Sequence, residues 1–74
     1  MVQQIQYEVL VKQDGRWGFN SSHQASEKDK AIEIAKSLEV QKDIESVKVL
    51  REVFDPEEGT SKESTVYTPG RLWR

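Results

Sequence analysis

The sequence predicts an α+β fold of order ββαββ. One helix packs on one face of a four-stranded antiparallel sheet of strand order 2-1-3-4. Three observations carry this prediction. Ile5 to Lys12 alternates apolar and polar residues with the period of a half-buried strand. Ala31, Ile34, Ala35 and Leu38 recur at i, i+3, i+4 and i+7, which is one face of a helix. Two turn signals, around Asp14-Gly15 and at Asp55-Pro56-Glu57-Glu58-Gly59, each divide a pair of strand-like segments.

In the first strand Ile5, Tyr7, Val9 and Val11 share a face, and Leu10 points the other way. Gln13-Asp14-Gly15-Arg16 then turns the chain, because glycine accepts the positive φ of a tight turn. A second strand covers about Arg16 to Ser21. A two-residue turn pairs Lys12 with Trp17 and Leu10 with Phe19, which puts both aromatics opposite Val9 and Val11. A three-residue loop with a glycine bulge pairs Val11 with Trp17 and Val9 with Phe19, and sends both rings to the core. Burying one large apolar side chain is worth about 1.5–3 kcal/mol, so the three-residue loop is the expected one. Ser21 to Ala25 reads as a linker. Ser26 reads as the helix N-cap, with Glu27 and Asp29 in the first turn where the dipole favours acids. Ile32 and Val40 widen the apolar stripe, and the helix is expected to end between Gln41 and Asp43. The stripe is expected to pack on Val9, Val11, Val47, Val49 and Trp17.

The third strand runs from Glu45 to Phe54, with Val47, Val49 and Val53 on one face and Leu50 and Phe54 on the other. After the proline turn, a fourth strand covers about Thr60 to Thr68. A four-residue loop pairs Val49 with Val66, and a five-residue loop buries Tyr67 instead. The four-residue loop is favoured, since burying Val66 outweighs cross-strand pairs worth about 0.2–1 kcal/mol each. Residues 1–68 are thus one domain, and 69–74 a tail or the start of a linker. Covering only one sheet face leaves the other open unless a partner covers it.

The chain resembles a small ββαββ domain found in uncharacterised bacterial proteins. The resemblance rests on Tyr7-Glu8-Val9, Gly15-Arg16-Trp17, Ala31 and Ala35, Val47-Lys48-Val49, Glu52, Asp55-Pro56, Gly59 and the stretch Glu63 to Tyr67. It spans about Tyr7 to Tyr67. It implies the same fold and brings no established activity and no functional residue with it.

Composition narrows the function. The 74 residues include 11 Lys and Arg, 13 Asp and Glu, one His and no Cys, for a net charge of -2. A chain of this size buries only about 60% of the surface its unfolded form exposes, so a partner would add useful burial. Without cysteine there are no disulfides, thiolate metal sites or cysteine catalysis, and a cytoplasmic location is expected. No apolar run is long enough to span a membrane. His23 alone does not make a metal site, and the carboxylates of Asp55 to Gly59 lack calcium-loop spacing. Ser21, Ser22 and His23 are adjacent on one short linker, and nothing there suggests a pocket or an orienting acid. No enzymatic activity, cofactor or metal is therefore expected.

The candidate contact surface is the open sheet face, with Leu10, Leu50, Phe54 and Tyr67, joined by Trp73 if the tail folds back over it instead of starting a linker or helix. The expected function is a non-catalytic protein-protein interaction or regulatory module, a homodimer being one form of it. The alternative, which suits the two-residue turn, is single-stranded nucleic-acid binding, with bases stacked on Trp17 and Phe19, flanked by Lys12 and Arg16, and with Lys48 and Arg51 on the third strand. The mixed charges and negative balance weigh against that alternative.

Overall fold

The computed structural model describes residues 3–69. Its strands are β1 (Gln4–Gln13), β2 (Arg16–Gln24), β3 (Ser46–Asp55) and β4 (Thr60–Tyr67). The helix α1 (Lys28–Glu39) follows a 3-10 turn over Ala25–Glu27. The strands form an antiparallel sheet of order β2-β1-β3-β4. The fold class and strand order are those expected. The central strands β1 and β3 are also the most apolar.

The core lies between the sheet and α1. Tyr7, Val9 and Val11 of β1 meet Val47 and Val49 of β3 beneath Ala31 and Ala35 of α1. Both alanines are fully buried, because a methyl side chain lets the helix backbone come close to the valines. Ile32, Ile34, Leu38 and Ile44 close the margins. Val40 does not widen the stripe: it is 79% exposed, because α1 has ended and Val40 is its C-cap.

The first hairpin differs from the expected one. Lys12 pairs with Trp17 and Leu10 with Phe19, so the turn is the two-residue Asp14-Gly15. Both residues have positive φ, +52° and +77°, the combination whose twist matches that of the flanking strands. The expected burial of Trp17 and Phe19 fails for a geometric reason. The helix begins beside the far end of β2, with Glu27 near His23. It ends beside β4, where Tyr67 donates a hydrogen bond to Glu39. It therefore crosses the sheet obliquely and leaves the hairpin end of β2 without cover. Neither register offered the two rings a buried place there, so turn chemistry decided.

β2 is also longer than expected. The stretch from Ser21 to Gln24 is strand, with Tyr7 paired to His23 and Gln6 to Gln24. The register slips between Val9 and Leu10, leaving Asn20 as the extra residue. Ser26 is not the N-cap but part of the 3-10 turn. Glu27 instead accepts a hydrogen bond of 3.0 Å from the Gln24 backbone N–H.

The second hairpin has the favoured four-residue loop between Asp55 and Thr60. The Asp55 carboxylate accepts the Glu57 N–H at 3.0 Å, and the Asp55 carbonyl accepts the Gly59 N–H at 2.8 Å. Gly59 supplies the positive φ. Further along, the register slips so that Val49 pairs with Tyr67 instead of Val66. Val66 and Tyr67 both pack against the core as a result.

Candidate interaction face

Alternation along the strands decides which side chains stand opposite the helix. Cross-strand partners share a face, so the open face reads as rows across the sheet. At the hairpin end, Trp17 and Lys12 share a row with Ser46. Next come Phe19, Leu10 and Lys48, then Ser22, Glu8, Leu50 and Thr65. Gln24, Gln6, Glu52 and Glu63 form the fourth row, and Gln4, Phe54 and Ser61 the last.

The aromatic end is the more open. Trp17 is 43% exposed and Phe19 63%, while Leu10, Leu50 and Phe54 are half-buried. Lys48 reaches across from β3 and holds its ammonium 4.4 Å from the centre of the Trp17 ring. That is within cation-π range, and it ties β3 to β2 over the top of β1. The hairpin is held from the other side as well. Glu45 accepts the Gly15 N–H at 3.2 Å, and its own N–H bonds to the Lys12 carbonyl at 2.8 Å. The segment entering β3 thus fixes the turn that presents Trp17.

The opposite end of the face is acidic. The Gln6 amide nitrogen donates to Glu8 at 3.0 Å and to Glu52 at 2.9 Å. One amide thereby draws two carboxylates together, and Glu63 stands beside Glu52 on β4. The face is polarised along the strands: Trp17, Phe19 and the ammonium groups stand at the hairpin end, and the carboxylates, with Phe54 beyond them, toward the start of β1.

The expected site residues divide accordingly. Leu10, Leu50 and Phe54 lie on this face together, as expected. Tyr67 does not: the bulge turns it to the helix side, where its hydroxyl reaches Glu39 and Lys36 lies 6.0 Å from its ring. Trp73 lies outside the described residues. Among the nucleic-acid contacts, Lys12, Trp17 and Phe19 come together on the open face. Arg16, paired with Gln13, and Arg51, paired with Tyr7, alternate to the helix side. Lys48, expected only as a basic residue of the third strand, takes a place beside the rings. Its pairing with Leu10 in the sheet is the signal, and that pairing needs the register.

His23 is not an exposed linker residue. Its side chain is 10% exposed, and its Nε2 lies 2.9 Å from the Ser21 hydroxyl. Its Nδ1 is 3.9 Å from Glu27 Oε1, too far for a hydrogen bond. The same Glu27 oxygen bonds the Gln24 N–H. Glu27 therefore closes the start of the helix instead of orienting the imidazole, and Ser21 gains no activated base. Among the described residues, no group of three or more His, Cys, Asp or Glu is placed to hold a metal ion. No described helix is long and apolar enough to cross a membrane.

No protein-family model matches the chain, and no similar curated protein or solved structure was found.

Proposed function

We propose that the chain is a non-catalytic, bacterial and cytoplasmic association module that docks a protein partner on the uncovered sheet face and so serves a regulatory or assembly role. The supporting observation is the company that Trp17 and Phe19 keep. They stand exposed on the same face as Leu10, Leu50 and Phe54. Single exposed apolar residues are ordinary, but Trp17, Phe19, Leu10 and Leu50 occupy three adjacent rows, and an apolar patch on an open sheet is characteristic of an interface. Exposed aromatic rings are also what interface centres are rich in. The cysteine-free composition is consistent with a reducing compartment.

Nucleic-acid binding is the second reading, favoured by Trp17 and Phe19 standing beside Lys12 and Lys48. It is the weaker one. Glu8, Glu52 and Glu63 share the face, Arg16 and Arg51 are turned away from it, and phosphate neutralisation carries most non-specific affinity.

The test is site-specific photo-crosslinking in the native cells. A benzophenone amino acid replaces Leu50 in one variant and Lys36, on the exposed side of α1, in another. Protein adducts from position 50 and none from position 36 are expected. Nucleic-acid adducts from position 50 would favour the second reading. No adducts from position 50 would refute an association role for this face.

A further inference from the structure

We propose that the partner is a second copy of this chain, packed sheet to sheet with the strand directions of the two copies opposed. The inference rests on the reading of the open face as an association surface. It adds the identity of the occupant and its orientation.

The first argument is area. Strands are spaced about 4.8 Å apart and rise about 3.4 Å per residue. The four strands, eight to ten residues long, therefore present a face of about 600 Å² on these spacings. Covering it in both copies removes about 1,200 Å² from water, the lower bound for a stable specific interface. The face is thus large enough for a dimer only if nearly all of it is covered. A second face of the same dimensions covers all of it.

The second argument is charge. A face-to-face dimer needs a two-fold axis lying between the sheets, and such an interface is self-complementary. An axis along the strands would lay each row over the same row of the second copy, bringing the Lys12 and Lys48 rows against their own like and the Glu52 rows against each other. An axis across the strands reverses the polarity. It lays the ammonium groups of one copy over the acidic end of the other, twice per dimer. Opposite potentials across an interface fix its register, and like charges there are costly.

Placing the axis across the Leu50 row brings the details into line. Leu50 then meets Leu50 of the second copy at the centre. Lys48 and Glu52 flank Leu50 on β3, two residues to either side, so Lys48 of one copy falls over Glu52 of the other. Glu8 shares the Leu50 row, and on its own would face Glu8 of the second copy. The Gln6 amide prevents this by drawing the Glu8 carboxylate toward Glu52. Negative charge is thereby gathered off the axis, beneath the Leu10 and Lys48 row of the second copy. The amide bridge has an evident purpose in this arrangement: it holds two like charges where the Lys48 ammonium of the second copy arrives.

The experiment is a charge swap read by sedimentation equilibrium of the full chain across the micromolar range. Circular dichroism of each variant first establishes that it is folded. The wild type is expected to dimerise. Lys48→Glu and Glu52→Lys each place like charges opposite one another at both ends of the dimer. Each alone is expected to weaken dimerisation on the order of tenfold or more. An equimolar mixture of the two variants regains both attractions and is expected to recover wild-type affinity, as is the double variant. Wild-type monomer throughout would overturn the proposal, and so would loss of dimer in both variants without recovery on mixing. A dimer indifferent to both swaps would overturn the opposed orientation. Crosslinks from position 50 to a different protein, with a monomeric wild type, would overturn the second copy as occupant while leaving the face as an association surface. Absence of any crosslink from position 50 would remove both.

Discussion

The exposed rings and the buried valines should make unequal contributions to stability, and the difference can be worked from the structure. Val49 is fully buried between Val9, Val47 and the helix. Val49→Ala removes two methyl groups from water-free surroundings. At about 0.8 kcal/mol each, with a cavity left behind, the loss is about 2–3 kcal/mol. Phe19 is 63% exposed, so only about a third of the 1.5–3 kcal/mol for full burial applies, or about 0.5–1 kcal/mol. Phe19→Thr tests this fairly, because threonine keeps the β-propensity of the site. In a domain of this size 1 kcal/mol shifts the melting temperature by about 4–8 °C. Val49→Ala should therefore lower it by roughly 10–20 °C and Phe19→Thr by about 2–8 °C. The assay is thermal and urea unfolding followed by circular dichroism, at a dilution where sedimentation shows only monomer. Dilution matters because a ring buried in a dimer would stabilise the folded state by mass action. Equal losses in the two variants would refute the reasoning. They would mean that Phe19 belongs to the core and that the first hairpin has the three-residue loop.

Gly15→Ala should destabilise by about 1–2 kcal/mol. A Cβ there meets nothing within 4 Å, so the cost arises from φ +77° and not from crowding. Asp14→Asn should be neutral or stabilising in the same urea titration, since asparagine tolerates positive φ better than most residues. Leu50→Glu should weaken association at least tenfold while the circular dichroism spectrum stays folded; unchanged association, or outright unfolding, counts against the open face. Tyr67→Phe removes the hydroxyl that bonds Glu39 and should cost about 1 kcal/mol by urea unfolding. A low-salt titration with a fluorescent single-stranded oligonucleotide should show no saturable binding. Binding that Trp17→Ala abolishes and added salt weakens would instead favour nucleic acid as the ligand.

Much of the architecture was legible because local signals agreed with each other. The alternation around Val9, the spacing of Ala31 and Ala35, and the Pro-Gly turn all point to the same sheet with the same helix. The first hairpin was misread for a reason that no local signal contains. Choosing the loop by burial assumes that the helix covers the whole of its face. The path of α1 from His23 to Tyr67 shows that it does not. The second hairpin was half legible. Burying Val66 and burying Tyr67 looked like alternatives, and a one-residue bulge achieves both. Leu10, Leu50 and Phe54 were legible as a set, since period two alone separates them from the valines. The place of Lys48 over Trp17 and the Gln6 bridge were not, because both depend on which residues of different strands lie side by side.

The two bulges separate the core side of the sheet from its open face. Without the extra residue at Asn20, the two-residue turn would pair Val9 with Asn20 and Tyr7 with Ser22, and His23 would leave the helix side. With it, Trp17 and Phe19 face outward at one end of β2, while Ser21 and His23 face the helix at the other. The bulge at Val66 does the same on β4, drawing Tyr67 inward under the end of α1. Each edge strand thus changes its facing where the helix arrives or departs. The central strands keep strict alternation and carry the buried valines. Stability is concentrated in β1, β3 and two alanines of α1, and the aromatic end of the open face contributes little to it. Substitutions at Trp17 and Phe19 are then expected to leave the domain folded. That independence is why the Val49 and Phe19 comparison and the Lys48 and Glu52 swap report on different properties of the same sheet.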